Sequence, residues 1–154
     1  MRVHTLTREQ HLDRPPAEIF PFFADAHNLE AITPPALRFK VVAPGAIEMG
    51  PGALIQYRLR VRGLPIDWLT RIEAWEPDSL FVDTQLVGPY RFWHHTHTFE
   101  ERSGGTLMRD VVRYALPVWP LGKLAGPLVR RELRAIFDFR RETVARLLAD
   151  GFTK

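Results

Sequence analysis

His95 and His97 stand two residues apart in the run Trp93-His-His95-Thr-His97-Thr-Phe99. Alternate residues of an extended strand share a face, so both imidazoles project the same way. Histidine titrates near neutrality. Two such rings beside a carboxylate could ligate a metal ion or work as a general acid and base. They could also hydrogen-bond the polar head of a ligand, or simply satisfy one another and a neighbouring aspartate. The last two readings are preferred, and neither a metal nor another cofactor is expected. The nearest carboxylate by pattern is Asp110. If there is catalysis, His95, His97 and Asp110 are the residues to carry it.

Side-chain parity decides what else shares that space. Trp93 and Phe99 set the inward face of their strand, which carries His95 and His97 in and His94 out. On the next strand, Met108, Asp110, Val112 and Tyr114 point inward, leaving Arg109 and Arg113 in water, where arginines are normally found. In Ile66 to Trp75, the residues Trp68, Thr70 and Ile72 face in. Tyr57 joins the inward polar set from the alternating run Ala53 to Arg62. For Leu80 to Val87 the choice is open between Leu80, Val82, Thr84 and Leu86, which are more apolar, and Phe81, Asp83, Gln85 and Val87.

The cover for these strands is a long helix, Pro127 to Ala149, opened by Gly126-Pro127 and stopped by Gly151. At about 100° per residue, Val129, Leu133, Ile136, Phe137, Val144 and Leu147 fall on one face. Arg130, Arg131, Arg134, Asp138 and Arg141 fall on the other, with Arg134–Asp138 and Glu142–Arg146 as i,i+4 pairs. Arg140 projects onto the apolar face, where a charge needs a partner or a wet cavity. A pairing with Asp110 or Asp83 beneath the helix is expected.

Upstream, Val3 to Leu12 alternates as a strand, Pro16 to Ala24 is a short helix, and Asp25 to Ile32 a second short helix or turn. Strands follow at Arg38–Ala43, 53–62, 66–75, 80–87, 91–101 and 106–116, with turns at 44–52, Gly63-Leu64-Pro65, 76–78, Gly88-Pro89 and Ser103-Gly104-Gly105. Residues 119–126 are read as a connector. Short turns between about seven strands imply an antiparallel meander. The fold class is α+β, a curved sheet gripping a C-terminal helix, in one domain over residues 1–154. A curved sheet around one helix leaves an interior that is either filled or kept as a ligand cavity.

The chain has 154 residues, no cysteine and a net charge of +3. Disulfides and thiolate metal sites are therefore excluded. Arginines are scattered or lie on the wet helix face, without interleaved stacking aromatics, so nucleic-acid binding is not expected. No apolar run approaches the roughly 20 residues of a membrane span. The charged, alternating N-terminus is not a signal peptide, and a cytoplasmic monomer or homodimer is expected. Nucleophile-elbow, phosphate-loop and dinucleotide motifs are absent, which weighs against hydrolase, kinase and oxidoreductase classes.

Phe81-Val-Asp83, Gly88-Pro89-Tyr90, Trp93 to Phe99, Gly105-Thr106, Asp110, Tyr114, Phe137 and Arg140 together resemble the SRPBCC superfamily, the START-like, polyketide-cyclase-like helix-grip group. The resemblance covers nearly the whole chain in element order and favours the Asp83 parity. It implies a cavity under the long helix for a lipid, polyketide or aromatic compound, lined by Tyr57, Trp68, Thr70, Asp83, Trp93, His95, His97, Met108, Asp110, Val112, Tyr114, Leu133, Ile136, Phe137 and Arg140. Binding of a small hydrophobic or amphipathic molecule is the expected role. A cofactor-free cyclase or dehydratase of polyketide-like aromatics, with His95 or His97 as base and Asp110 or Arg140 steadying an enolate, is the first alternative. A protein-interaction module is the second.

Overall fold

One sheet brings the first and last strands side by side. Strand β1 (His4–Leu12) pairs antiparallel with β7 (Gly105–Ala115), which pairs with β6 (Phe92–Arg102). The order continues through β5 (Leu80–Val87), β4 (Leu64–Glu76) and β3 (Leu54–Val61) to a two-residue β2 (Lys40–Val41). Between β1 and β2 lie α1 (Pro16–Ala24) and two single-turn segments, 26–30 and 35–37. Helix α2 (Gly122–Ala149) follows β7. The computed structural model describes residues 1–42, 47–116 and 122–152, and the side chains of α2 from residue 125. The seven-stranded antiparallel sheet and long terminal helix are the helix-grip fold.

Local chemistry explains the turns. Arg62 and Gly63 have φ of 52° and 81°, and Ser103 and Gly104 have 53° and 78°. Both are two-residue hairpins with left-handed central residues, the geometry that matches strand twist. Strand β4 therefore starts at Leu64, and Gly63-Leu64-Pro65 is not the turn. Pro65 is tolerated because it pairs with Arg60 of β3 beyond the reach of β5, whose last pairing is Val87 with Leu69. Its missing N–H faces no neighbour there.

Three other boundaries differ from the sequence pattern. Strand β2 keeps only Lys40 and Val41, after a left-handed Arg38 (φ 46°) that breaks the extended run. Helix α2 begins at Gly122, so Pro127 sits within it and does not open it. A proline this early costs one backbone hydrogen bond, which a helix of 28 residues tolerates. The connector expected at 119–126 is helical from 122, and Trp119 lies outside the described residues. Neither helix-surface ion pair forms among the described residues. Asp138 instead meets Arg8 of β1 at 2.8 Å.

Two clusters fasten the helices to the sheet. Ile19, Phe20 and Phe23 of α1 pack with Leu12, Phe81, Phe99, Met108 and the fully buried Val144. Leu133 and Phe137 of α2 pack on Trp93, Val112 and Tyr114. Each fully buried side chain of this kind is worth about 1.5–3 kcal/mol. Both clusters lie toward the β1–β7–β6 side. The opposite half of the sheet is covered less completely.

Candidate functional site

The incompletely covered half holds a cavity of about 140 Å³ bounded by β3 to β6, the segments 26–37 and α2. Its floor comes from strand parity. Thr70 and Ile72 of β4 and Ile55 and Tyr57 of β3 are buried and point in, whereas Leu54 and Arg71 point out. On β5, Phe81 and Asp83 line the cavity and Val87 is exposed, so the alternation holds only over the first part of that strand. Trp68 crosses Trp93 edge to face at 5.1 Å between ring centroids. The lid is Ile136 and Arg140 of α2.

At the β5–β6 boundary the polar residues form a closed set. The His95 and His97 rings stack 3.6 Å apart at 27°. His97 Nε2 donates to Asp83 Oδ2 at 2.5 Å, and His95 Nε2 donates to Asp110 Oδ1 at 2.8 Å. His97 Nδ1 also lies 3.3 Å from Asp110 Oδ1, but His95 Nδ1 is 3.7 Å from Asp83 Oδ2. An ionised carboxylate only accepts, so each short contact needs a ring N–H. The two Nε2 contacts are hydrogen bonds, whereas the Nδ1 contacts, at 3.3 and 3.7 Å, bring charge close without hydrogen-bond geometry.

The electrostatics agree. Burial, the largest influence on His97, disfavours its charge, but the hydrogen bonds and charges of Asp110 and Asp83 outweigh it and hold the ring above its ordinary value. Burial and the charged His97 push His95 below its ordinary value. Burial alone would raise both carboxyls, yet the two histidines hold Asp83 and Asp110 below the usual carboxylate range. Burial, then the Asp83 charge, push the Tyr57 phenol up, so it stays neutral.

Arg140 does not pair as expected. It makes no ion pair with either aspartate, and its Nε has no hydrogen-bond partner. The guanidinium lies over the Phe137 ring, Cζ 4.9 Å from the centroid. The histidines already occupy the aspartate oxygens, and the Phe137 face is the remaining favourable surface for a cation. Burial lowers the pKa of Arg140, while the charges of Asp110 and Asp83 hold it ionised.

A family model described as "Polyketide cyclase / dehydrase and lipid transport" matches residues 3–149. The chain belongs to this family. It is therefore a member of the SRPBCC superfamily. Among solved structures, the Zhui aromatase/cyclase from a Streptomyces species superposes with a TM-score of 0.76 at 13% identity, covering 94% of this chain and 92% of that one. TTHA0849 from Thermus thermophilus gives 0.71 at 20%, covering 96% and 99%. Ara h 8.0201 gives 0.64 at 21%, covering 93% and 98%. Identities this low speak to the fold alone. No curated protein matches the sequence significantly.

Within this family framework, the structure sorts the residues singled out by sequence. Tyr57, Trp68, Thr70, Asp83 and Trp93 line the cavity, as do His95, His97, Ile136 and Arg140. Met108, Val112, Tyr114, Leu133 and Phe137 do not; they point inward but pack in the clusters that join the helices to the sheet, with Met108 and Phe137 bordering a separate small pocket between β1, β7 and α2. Asp110 is a layer behind, reaching the cavity only through the histidines. Sequence reasoning missed Phe23 of α1 and Ala26, Leu29, Leu37 and Phe39, which arrive from the segments between α1 and β2. Ile55 and Leu59 share the parity of Tyr57, and that signal could have found them.

Asp83, His95 and His97 are the residues that could hold a divalent cation, each offering one ligand atom within 4.8 Å of the others. Asp110 would orient the rings from behind. Binding would require His97 to lose its proton. As it stands the cluster is already balanced, with Asp83 and Asp110 opposed by His97 and Arg140, so the hydrogen-bonded state needs no ion. Among the described residues, no helix is long and apolar enough to cross a membrane.

Proposed function

We propose that this chain binds one hydrophobic or amphipathic small molecule in the cavity between β3–β6 and α2. The observation that carries the reading is the cavity itself. It has aromatic walls at Tyr57, Trp68, Trp93 and Phe81, and a polar end at Asp83, His95, His97 and Arg140. Removing apolar ligand surface from water contributes about 25 cal/mol per Å², and the polar end fixes orientation. Native mass spectrometry of protein isolated without detergent tests it. A bound small molecule released on denaturation is expected from chain that has met its ligand. Failure of every apolar probe to bind the purified protein would overturn the reading.

One observation favours a catalytic second reading. His95 is neutral, faces the cavity and is held by Asp110, the arrangement of an oriented general base. Cofactor-free cyclisation or dehydration would then start by proton removal at His95 Nδ1, with Arg140 facing the oxygen of the enolate. A His95→Ala, His97→Ala double variant should lose turnover of a polyketide-like substrate while keeping cavity binding. Normal turnover in that variant would end the catalytic reading. The open cavity gives no support to the interaction-module alternative, which requires a filled interior.

A further inference from the structure

An imidazole that ligates a metal usually has a carboxylate or carbonyl behind it, which takes one ring N–H and leaves the other nitrogen's lone pair for the ion. One residue sets both rings of the polar end this way. Asp110 Oδ1 receives His95 Nε2 at 2.8 Å and lies 3.3 Å from His97 Nδ1. The nitrogens turned away from it, His95 Nδ1 and His97 Nε2, both face Asp83 Oδ2, at 3.7 and 2.5 Å. The two-residue spacing of the histidines reveals neither carboxylate; the fold brings both.

Neither ring is free to swing away. His97 stacks between His95 and Phe81, whose centroid is 3.9 Å away at 16°. Phe137 meets His95 at 5.7 Å from its other neighbour, the helix. Ligands locked by packing and by a carboxylate behind them are the preorganised kind. The donor set then chooses the ion. Two imidazole nitrogens and one carboxylate oxygen suit zinc-like divalent ions, whereas calcium and magnesium take oxygen ligands. Donors about 2.0–2.1 Å from a tetrahedral zinc stand about 3.4 Å apart. The two Asp83 contacts lie on either side of that spacing, so a shift of about 1 Å or less seats the ion.

We infer that Asp83, His95 and His97 form a binding site for one zinc-like divalent ion, with Asp110 holding the rings from behind. The hydrogen bonds that satisfy the cluster use the same nitrogens, so ion and proton compete for them. Three protein ligands leave the fourth position to a water or to a ligand oxygen. All three border the cavity. The site goes beyond the proposed small-molecule binding and does not depend on which molecule the cavity takes.

Cobalt(II) titrated into the intact chain, after passage over a chelating resin, tests it. Four-coordinate cobalt absorbs visible light strongly, and the six-coordinate aqua ion only weakly. One cobalt per chain with the intense spectrum, bleached by one equivalent of zinc, is the expected result. Asp83→Ala and His97→Gln, each confirmed folded by its thermal transition, should weaken cobalt binding by more than about 100-fold, beyond the roughly 10–100-fold that loss of a supporting partner costs. The exposed His11, beside Asp13, is the rival site, and His11→Gln should bind cobalt as the wild type does. Absence of the intense spectrum from the wild type, a spectrum undiminished in the folded site variants, or one lost in His11→Gln overturns the inference. Should neither site variant fold, the wild type and His11→Gln decide. Apolar probes are titrated separately, so failure of the metal site leaves the proposed binding role standing.

Discussion

His95 and His97 lie face to face, ring centroids 3.6 Å apart, with the same two aspartates at their edges. Charge on one ring opposes charge on the other, so the two titrations are driven apart, His97 upward and His95 downward. This pairing sets the charge of the cavity's polar end and most of what can be measured there.

The first consequence is a stability profile peaked near neutrality. His97 is held above its ordinary 6.5, so its contribution is complete below that value and is lost as pH rises through the folded value. His95 is held below 6.5, so the folded state resists its protonation and loses stability as pH falls below that value. Asp83 and Asp110, held below the ordinary 3.8, contribute above that value and lose their contribution as pH falls further, through their folded values. Urea denaturation across the pH range should show a maximum near pH 6.5. In His97→Gln the decline on the alkaline side should be much reduced.

The two aspartates should separate by assay. Asp110 is buried behind the rings and Asp83 borders the cavity. Asp110→Asn leaves a buried cation short of a partner and should cost about 3–5 kcal/mol of folding stability. Cavity affinity should change little in molecules that remain folded. Asp83→Asn should alter affinity for a cavity probe. Denaturant melts and probe titrations of both variants check this.

Away from the site, Ile19 is fully buried in the cluster joining α1, the sheet and Val144. Ile19→Ala should cost about 2–5 kcal/mol. Because Ile19 does not line the cavity, probe affinity measured below the melting transition should be unchanged.

Much of this was readable from residue order. The limits of α1 and β5 and the inward face of β6, set by Trp93 and Phe99, follow from Pro16, Gly88 and simple alternation. Facing inward is not the same as facing the cavity. Met108, Val112 and Tyr114 have the correct parity but lie where α2 touches the sheet, a fact of tertiary placement that no strand pattern contains. Phe39 and Leu37 reach the cavity because residues 35–37 turn across the sheet edge, which Thr33-Pro34-Pro35 announces only as a break. The missing Arg140 ion pair depends on competition: periodicity placed the charge, but not the histidines that had already taken its partners.

Gly105 offers a geometric check on β1–β7 pairing. A Cβ there would collide with the Leu12 carbonyl oxygen and the His11 ring. Gly105→Ala must push backbone as well as side chain, and should cost about 1–3 kcal/mol by thermal denaturation. Ala at the exposed Leu54 should lie within about 0.5 kcal/mol of the wild type.

The central claim is that the space beneath α2 receives a ligand. Its most direct test is titration with prodan, a neutral naphthyl ketone whose emission moves to the blue in apolar surroundings, against the wild type and a Thr70→Phe variant that fills the cavity floor. Saturable one-to-one binding with quenching of tryptophan emission, lost in the folded variant, is the predicted result. No saturable binding to the wild type, or equal binding to the filled variant, would contradict it.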